Sequence, residues 1–284
     1  MAIDSMQLKT FKTLWGNTLP IDQACQDAIQ KGFSGIEGQA PQQRIEQAKW
    51  HNTLQETQCD FIAEIVTGGD YVPNRNWSIN QHLDDMKCQL DNSMPLNPLF
   101  ATCITGCDAW EESQSIKFFE QAMKIADDYQ IDLCFETHRS RSLFNPWITR
   151  KVVKVLPEIK LTLDISHWCV VCERLMDSEM DVIHAIKSNV HHIHARVGYD
   201  QGPQVPHPAA PEYAKELQSH QRVWETVWQA QFAKGFEVTT LTPEFGPDGY
   251  LHLQPFTQMP VADLSSVNQW INQVEQQHFS EVSF

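Results

Sequence analysis

Three short stretches of the chain end an apolar run on an acid, and a fourth, predicted as a strand, carries a histidine. They are Glu136 in "LCFETHR", Asp164 in "LTLDISHW", His194 in "HHIHARV" and Glu244 in "LTPEFGP". The first two intervals are 28 and 30 residues, and the third, 50, is lengthened by the run "GYDQGPQVPHPAAPEY". A lone acid at the end of an apolar run is ordinarily a helix N-cap or a solvated turn residue. Four in succession are harder to obtain by accident. Three carboxylates and one imidazole held together would repel unless positive charge lay between them, and a divalent cation is the economical answer. Oxygen-rich ligation with one nitrogen suits Mn2+ first, then Mg2+ or Co2+, with Zn2+ also compatible.

The elements that must position these groups follow from periodicity. Apolar, β-rich runs alternate with amphipathic runs along the whole length. The strand candidates are "TFKTLWG", "FSGIEG", "CDFIAEIVTGG", "PLFATCITG", "IDLCFETH", "IKLTLDISH", "VHHIHARVG" and "FEVTTLTPEFG". Eight helical runs separate or follow them, from "IDQACQDAIQKG" to "VADLSSVNQWINQVEQQ". Strict alternation implies parallel strands with helical crossovers. Eight such units in a chain of 284 residues predict an α/β fold, a single (β/α)8 TIM barrel over 1–284. An open doubly wound sheet is the other topology, but its first turn here, "WGNTLPID", lacks the glycine fingerprint for a dinucleotide. In a barrel, the C-terminal ends of consecutive strands converge on one mouth, so the four ionisable residues would meet there.

Period-two reading aims the side chains. His192, His194 and Arg196 share one face of the seventh strand, and Thr240, Thr242 and Glu244 share one face of the eighth. Arg196 would orient a substrate hydroxyl, carboxylate or phosphate, or else neutralise local acid charge. His138 and Arg139 follow Glu136 closely and fall in the predicted substrate loop, whereas Arg141 reads as a surface residue. Trp15 ends the first strand and could stack on a sugar ring or sit in the core. Glu37 and Glu64, on strands two and three, read as structural or hydrogen-bonding groups, and His207 as a solvated loop residue.

Bulk properties narrow the partners. The chain has 36 acidic against 21 basic residues, a formal charge of −15, which opposes binding to nucleic acid or anionic membranes. The first residues lack a signal-peptide pattern and no apolar run is long enough for a bilayer, so a cytoplasmic protein is expected. Its 8 cysteines then read as reduced, mostly buried thiols, with "CVVC" (Cys169 to Cys172) the single C-x-x-C. Helices rich in Trp and Phe could supply a homo-oligomer interface.

"FETH", "LDISH", "HIHARV" and "PEFGP" together resemble the xylose-isomerase-like TIM-barrel superfamily, which includes ketose 3-epimerases, inosose dehydratases and apurinic endonucleases. The architecture matches over nearly the whole chain, the specific motifs over residues 131–250. The resemblance implies Glu136, Asp164, His194 and Glu244 as ligands of one divalent metal. It also implies Glu136 and Glu244 as acid and base on opposite faces of a carbohydrate substrate, with His167 in contact with that substrate. The epimerase branch places an arginine six residues beyond the metal histidine; here that position is Asp200, and Arg196 stands two residues on.

The chemistry agrees. Isomerisation or epimerisation of a sugar removes a proton next to a carbonyl and leaves an enediolate that a metal stabilises, with one carboxylate taking the proton and a second returning it. Three rivals stand beside this reading. An inosose-type dehydratase would expel a hydroxyl from the same intermediate. A non-catalytic sugar-binding barrel would bind without turnover. An apurinic endonuclease would hold three zinc ions with histidines from the third and fourth strands, where "CDFIAEIVTGGDY" and "PLFATCITG" contain none.

Overall fold

A computed structural model describes residues 5–247 and 249–284. The span 1–284 expected for the domain includes positions 1–4 and 248, which lie outside the described residues, as does the start of the segment read for a signal peptide. Eight strands form a closed, all-parallel barrel in sequential order. They are β1 (Gln7–Thr13), β2 (Gly35–Gly38), β3 (Asp60–Val66), β4 (Ala101–Ile104), β5 (Leu133–Glu136), β6 (Lys160–Leu163), β7 (Val190–Ala195) and β8 (Val238–Pro243). β1 pairs with both β2 and β8, which closes the cylinder. The predicted (β/α)8 barrel is therefore the fold, and seven of the predicted strands contain an observed one; β1 instead starts three residues before "TFKTLWG" and ends at Thr13, so Trp15 lies in the turn beyond it rather than at the strand end.

Why these segments are strands is visible in their burial. β2, β4 and β5 are buried at every residue, because helices cover the outside and side chains fill the inside. Outward residues such as Ile65, Cys103, Phe135, Leu163, Ile193 and Leu241 join the hydrophobic layer beneath the helices. The inward set is polar. Thr102 on β4 and Thr162 on β6 lie 3.1 Å apart, and His192 on β7 reaches Glu37 on β2 at 3.2 Å. Contacts between strands that are not neighbours can only cross the interior. Side chains alternate along a strand, so this places Glu136, Asp164, His194 and Glu244 on the inward face as well.

The helices are α1 (Ile21–Gln30), α2 (Arg44–Thr57), α3 (Ile79–Ser93), α4 (Glu112–Tyr129), α5 (Pro146–Val155), α6 (Ser166–Cys172), α7 (Met180–Ile186), α8 (Ala214–Ala233) and α9 (Leu264–Glu281). Several begin where local chemistry dictates. Ser78 and Gln81 form a capping box on α3, Asn145 caps α5 with Pro146 in its first turn, and Asp263 accepts from the Ser266 N–H on α9. One helix was expected between β6 and β7; the structure has two. α6 starts directly after Asp164 and stops at Glu173, whose φ of 51° is left-handed. Its residues Trp168, Cys169 and Cys172 are buried and the two cysteines are free thiols, in line with the structural reading of "CVVC". No described helix is long and apolar enough to cross a membrane.

Candidate metal and substrate site

The four strand-end residues meet at the barrel mouth. Glu136 closes β5, Asp164 follows β6, His194 lies on β7 and Glu244 follows β8, and each offers an atom within 4.8 Å of the others'. All four are buried. His194 Nδ1 lies 3.1 Å from Glu244 Oε2 and 3.6 Å from Glu136 Oε2. Both oxygens of Glu136, Oε2 of Glu244 and Nδ1 of His194 are buried without a hydrogen-bond partner. Buried polar atoms are rarely left so. Their convergence fits a hard or borderline divalent cation, for which three carboxylates and one imidazole are a suitable set.

Electrostatics follow from that crowding. Burial, reinforced by Glu244, pushes Glu136 up to about 7. Burial would also raise Glu244, but His194 and Arg196 hold it below the usual carboxylate range. His194 is held well above its ordinary value, against burial, by Glu244, Glu37 and Glu136. Glu64 lines the same cavity and is pushed up to about 8 by burial and by Glu244, so at neutral pH it is mostly an uncharged donor.

Arg196 lies at the centre of a second set of contacts. Its NH2 group donates to Asp164 Oδ2 at 2.6 Å and to His167 Nε2 at 2.7 Å, and its Nε donates to Ser166 Oγ at 3.1 Å. The guanidinium stacks 4.7 Å from the Tyr250 ring and 5.7 Å from that of Trp15. Arg196 lines the cavity, whereas Asp164 beneath it does not. The arginine can only donate, so His167 Nε2 must accept and its proton sits on Nδ1. Burial, with His138 and Arg196, keeps His167 neutral. Its Nδ1–H is buried and unpartnered, and the ring itself does not line the cavity. His138, which stacks on His167 with ring centroids 3.9 Å apart, does line it.

Trp15 is partly buried, lines the cavity and meets Tyr250 edge to face at 5.0 Å. Gly246 backs onto it so closely that a Cβ there would fall 1.9 Å from Trp15 Cζ3. Glu37 is the hydrogen-bonding group expected: its Oε1 accepts from His194 Nε2 at 3.0 Å. His207 stays away from the mouth, with its ring 6.2 Å from Trp270 of α9.

Arg141 corrects the sequence reading. It is fully buried rather than on the surface. Its guanidinium donates to the carbonyls of Thr67 at 2.5 Å, Asp70 at 2.8 Å and Tyr71 at 2.6 Å, tying the β3–α3 loop to the β5–α5 loop. Reading the sequence also missed Tyr71 and Tyr250, whose hydroxyls are buried and unpartnered over the mouth. No short-range signal marks either tyrosine.

No family model matches the chain, and no curated protein matches it in sequence. Solved structures do match in shape. An IolI protein with a bound zinc atom aligns at a TM-score of 0.64 and 13% identity, covering 98% of this chain and 99% of that one. A D-allulose 3-epimerase from Methylomonas sp., in complex with D-allulose, aligns at 0.66 and 12%, covering 98% and 99%. A probable 3-DHS dehydratase, AsbF, from Bacillus anthracis aligns at 0.61 and 12%, covering 95% and 98%. At such identities the likeness shows the fold alone, a (β/α)8 barrel.

Proposed function

We propose that the protein is a divalent-metal-dependent isomerase or epimerase of a sugar or sugar derivative, with Glu136, Asp164, His194 and Glu244 holding one ion, Mn2+ in first place. The observation that carries this reading is the pair of buried glutamates, Glu136 and Glu244, both within reach of His194 Nδ1 and both with unpartnered oxygens. When bound, the metal would supply a Lewis acid beside the substrate carbonyl.

The rest is the work of the chain's own residues. Glu136 and Glu244, both beside His194 Nδ1 at 3.6 and 3.1 Å, are the pair that takes the substrate's proton and returns it, one as base and the other as acid. The Arg196 guanidinium, braced by His167 Nε2, orients substrate oxygens, with His167 itself in the substrate role that the family resemblance implies; Trp15 and His138 offer ring faces, and the burial of Arg196, His138 and His167 keeps bulk water from the reacting carbon. We place the enzyme in the cytoplasm and assign it no nucleic-acid partner.

A dehydratase reading uses the same residues, and the fold also hosts a probable dehydratase at comparable similarity. One experiment addresses both. The metal-loaded protein is incubated with a ketose and inosose panel in deuterated water and the products are weighed. Products of unchanged heavy-atom composition with deuterium at one carbon support isomerase or epimerase chemistry; loss of water supports the lyase. Glu244→Gln is expected to abolish either turnover with the fold intact, and a fully active Glu244→Gln protein would defeat the assignment.

A further inference from the structure

The cavity that contains the site, about 470 Å³, does not stop at the barrel mouth. It continues outward over the β2–α2 loop and along α3. Asp85, Gln89 and Asn92 of α3 lie at i, i+4 and i+7, one face of the helix, and line one side of this groove. Gln39 and Gln42 of the β2–α2 loop also line it. From Asp85 to Asn92 the helix rises about 10 Å, so the groove is long enough for a ring beyond the one at the mouth.

The α3 wall is fixed in place. Gln89 accepts from the Val66 N–H at 2.9 Å and donates to its carbonyl at 2.7 Å, Asp85 accepts from the Gly68 N–H at 3.1 Å, and Asn92 accepts from Gln47 at 3.2 Å. That leaves the amide nitrogen of Asn92 and the carboxamides of Gln39 and Gln42 for a ligand. Carboxamides both donate and accept, which is what a hydroxyl-covered ring requires. Among the described residues that line the cavity, Arg196 is the sole cation, and it is engaged by Asp164. Asp70 and Asp85 add negative charge towards the groove, which disfavours a phosphate or carboxylate there.

We infer that the substrate is a non-phosphorylated glycoside, with its reacting sugar at the mouth and a second, uncharged sugar ring in the groove between the β2–α2 loop and α3. This rests on the carbohydrate reading proposed above and narrows it. The test is calorimetric titration of the Mg2+-loaded protein with fructose, with fructose carrying a hexosyl unit at C3, C4 or C6, and with fructose 6-phosphate. At least one glycoside is expected to bind about tenfold or more tightly than fructose, roughly 1.4 kcal/mol, and the phosphate more weakly than fructose. Gln39→Trp and Gln42→Trp, both in an exposed loop, fill the groove; each should erase the glycoside preference while leaving fructose affinity unchanged. Equal binding of fructose and every glycoside, a preference for the phosphate, or an undiminished preference in both Trp variants would overturn the groove assignment alone. Binding of no sugar would overturn the carbohydrate reading and the groove assignment with it.

Discussion

Glu37 of β2 and His194 of β7 meet across the barrel interior, with 3.0 Å between Oε1 and Nε2. Because Nε2–H donates to Glu37, the other ring nitrogen, Nδ1, is turned to the mouth, where Glu244 and Glu136 lie. A carboxylate behind a ligating histidine fixes the ring and raises its basicity. Glu37 is itself held by Thr242 and His192, and the charges of His194 and His192 keep it well below the carboxylate range despite burial.

The Glu37→Gln variant should therefore keep the fold but bind metal about 10- to 100-fold more weakly. Competition with a chromophoric chelator measures this directly. Unchanged affinity would mean that His194 is not a ligand or that its orientation is set elsewhere.

Metal binding should also be pH-dependent. Glu136, at about 7, and His194, held well above its ordinary value, both carry protons near neutrality that a cation must displace. Apparent affinity is then expected to rise with pH through the neutral range and to fall below it. Calorimetry at pH 7 in buffers of different ionisation enthalpy should show about one or more protons released per ion bound. No proton release would remove these two groups from the ligand set.

What the sequence revealed and what it hid have separate physical causes. The strands were legible because burial on both faces makes them short apolar runs between amphipathic helices. Glu136, Asp164 and Glu244 were legible because each ends such a run, and His194 because it falls one β/α unit after Asp164 on the next strand. The break between α6 and α7 was not, because "SHWCVVC" is buried on several sides and shows no polar face to set a period. Arg141 was misread because its partners lie about seventy residues away, in a loop whose approach no local pattern encodes. The Glu37–His194 pair is likewise a product of barrel closure: 157 residues separate the two in sequence.

Arg141 yields a stability prediction. Arg141→Ala strands the buried carbonyl of Thr67, at a cost of roughly 1–3 kcal/mol, and takes the donor from the carbonyls of the more exposed Asp70 and Tyr71. A loss of about 2 kcal/mol is expected in denaturant titration, together with faster amide exchange in residues 67–74. Arg141→Lys should recover only part of it, since an ammonium cannot span three carbonyls in a plane. A loss below about 1 kcal/mol in Arg141→Ala would show that water replaces the guanidinium without cost.

His220 of α8 sets a separate dependence on pH, away from the metal cluster. Its Nδ1–H donates to the Glu216 carbonyl at 2.8 Å and its Nε2 accepts from the Gly198 N–H at 3.1 Å, so the fold needs the neutral ring. Burial lowers it to about 4, against an ordinary value near 6.5. Between those values the unfolded chain binds the proton and the folded chain does not, so stability falls as pH drops through that window and levels off below it. From pH 7 to pH 5 this one group should cost about 2 kcal/mol. His220→Gln is expected to be less stable at pH 7 but to lose less on acidification, and the difference between the two slopes isolates the histidine. Parallel slopes for variant and parent, measured by denaturant titration at several pH values, would show that His220 takes up its proton in the folded state as easily as in the unfolded one.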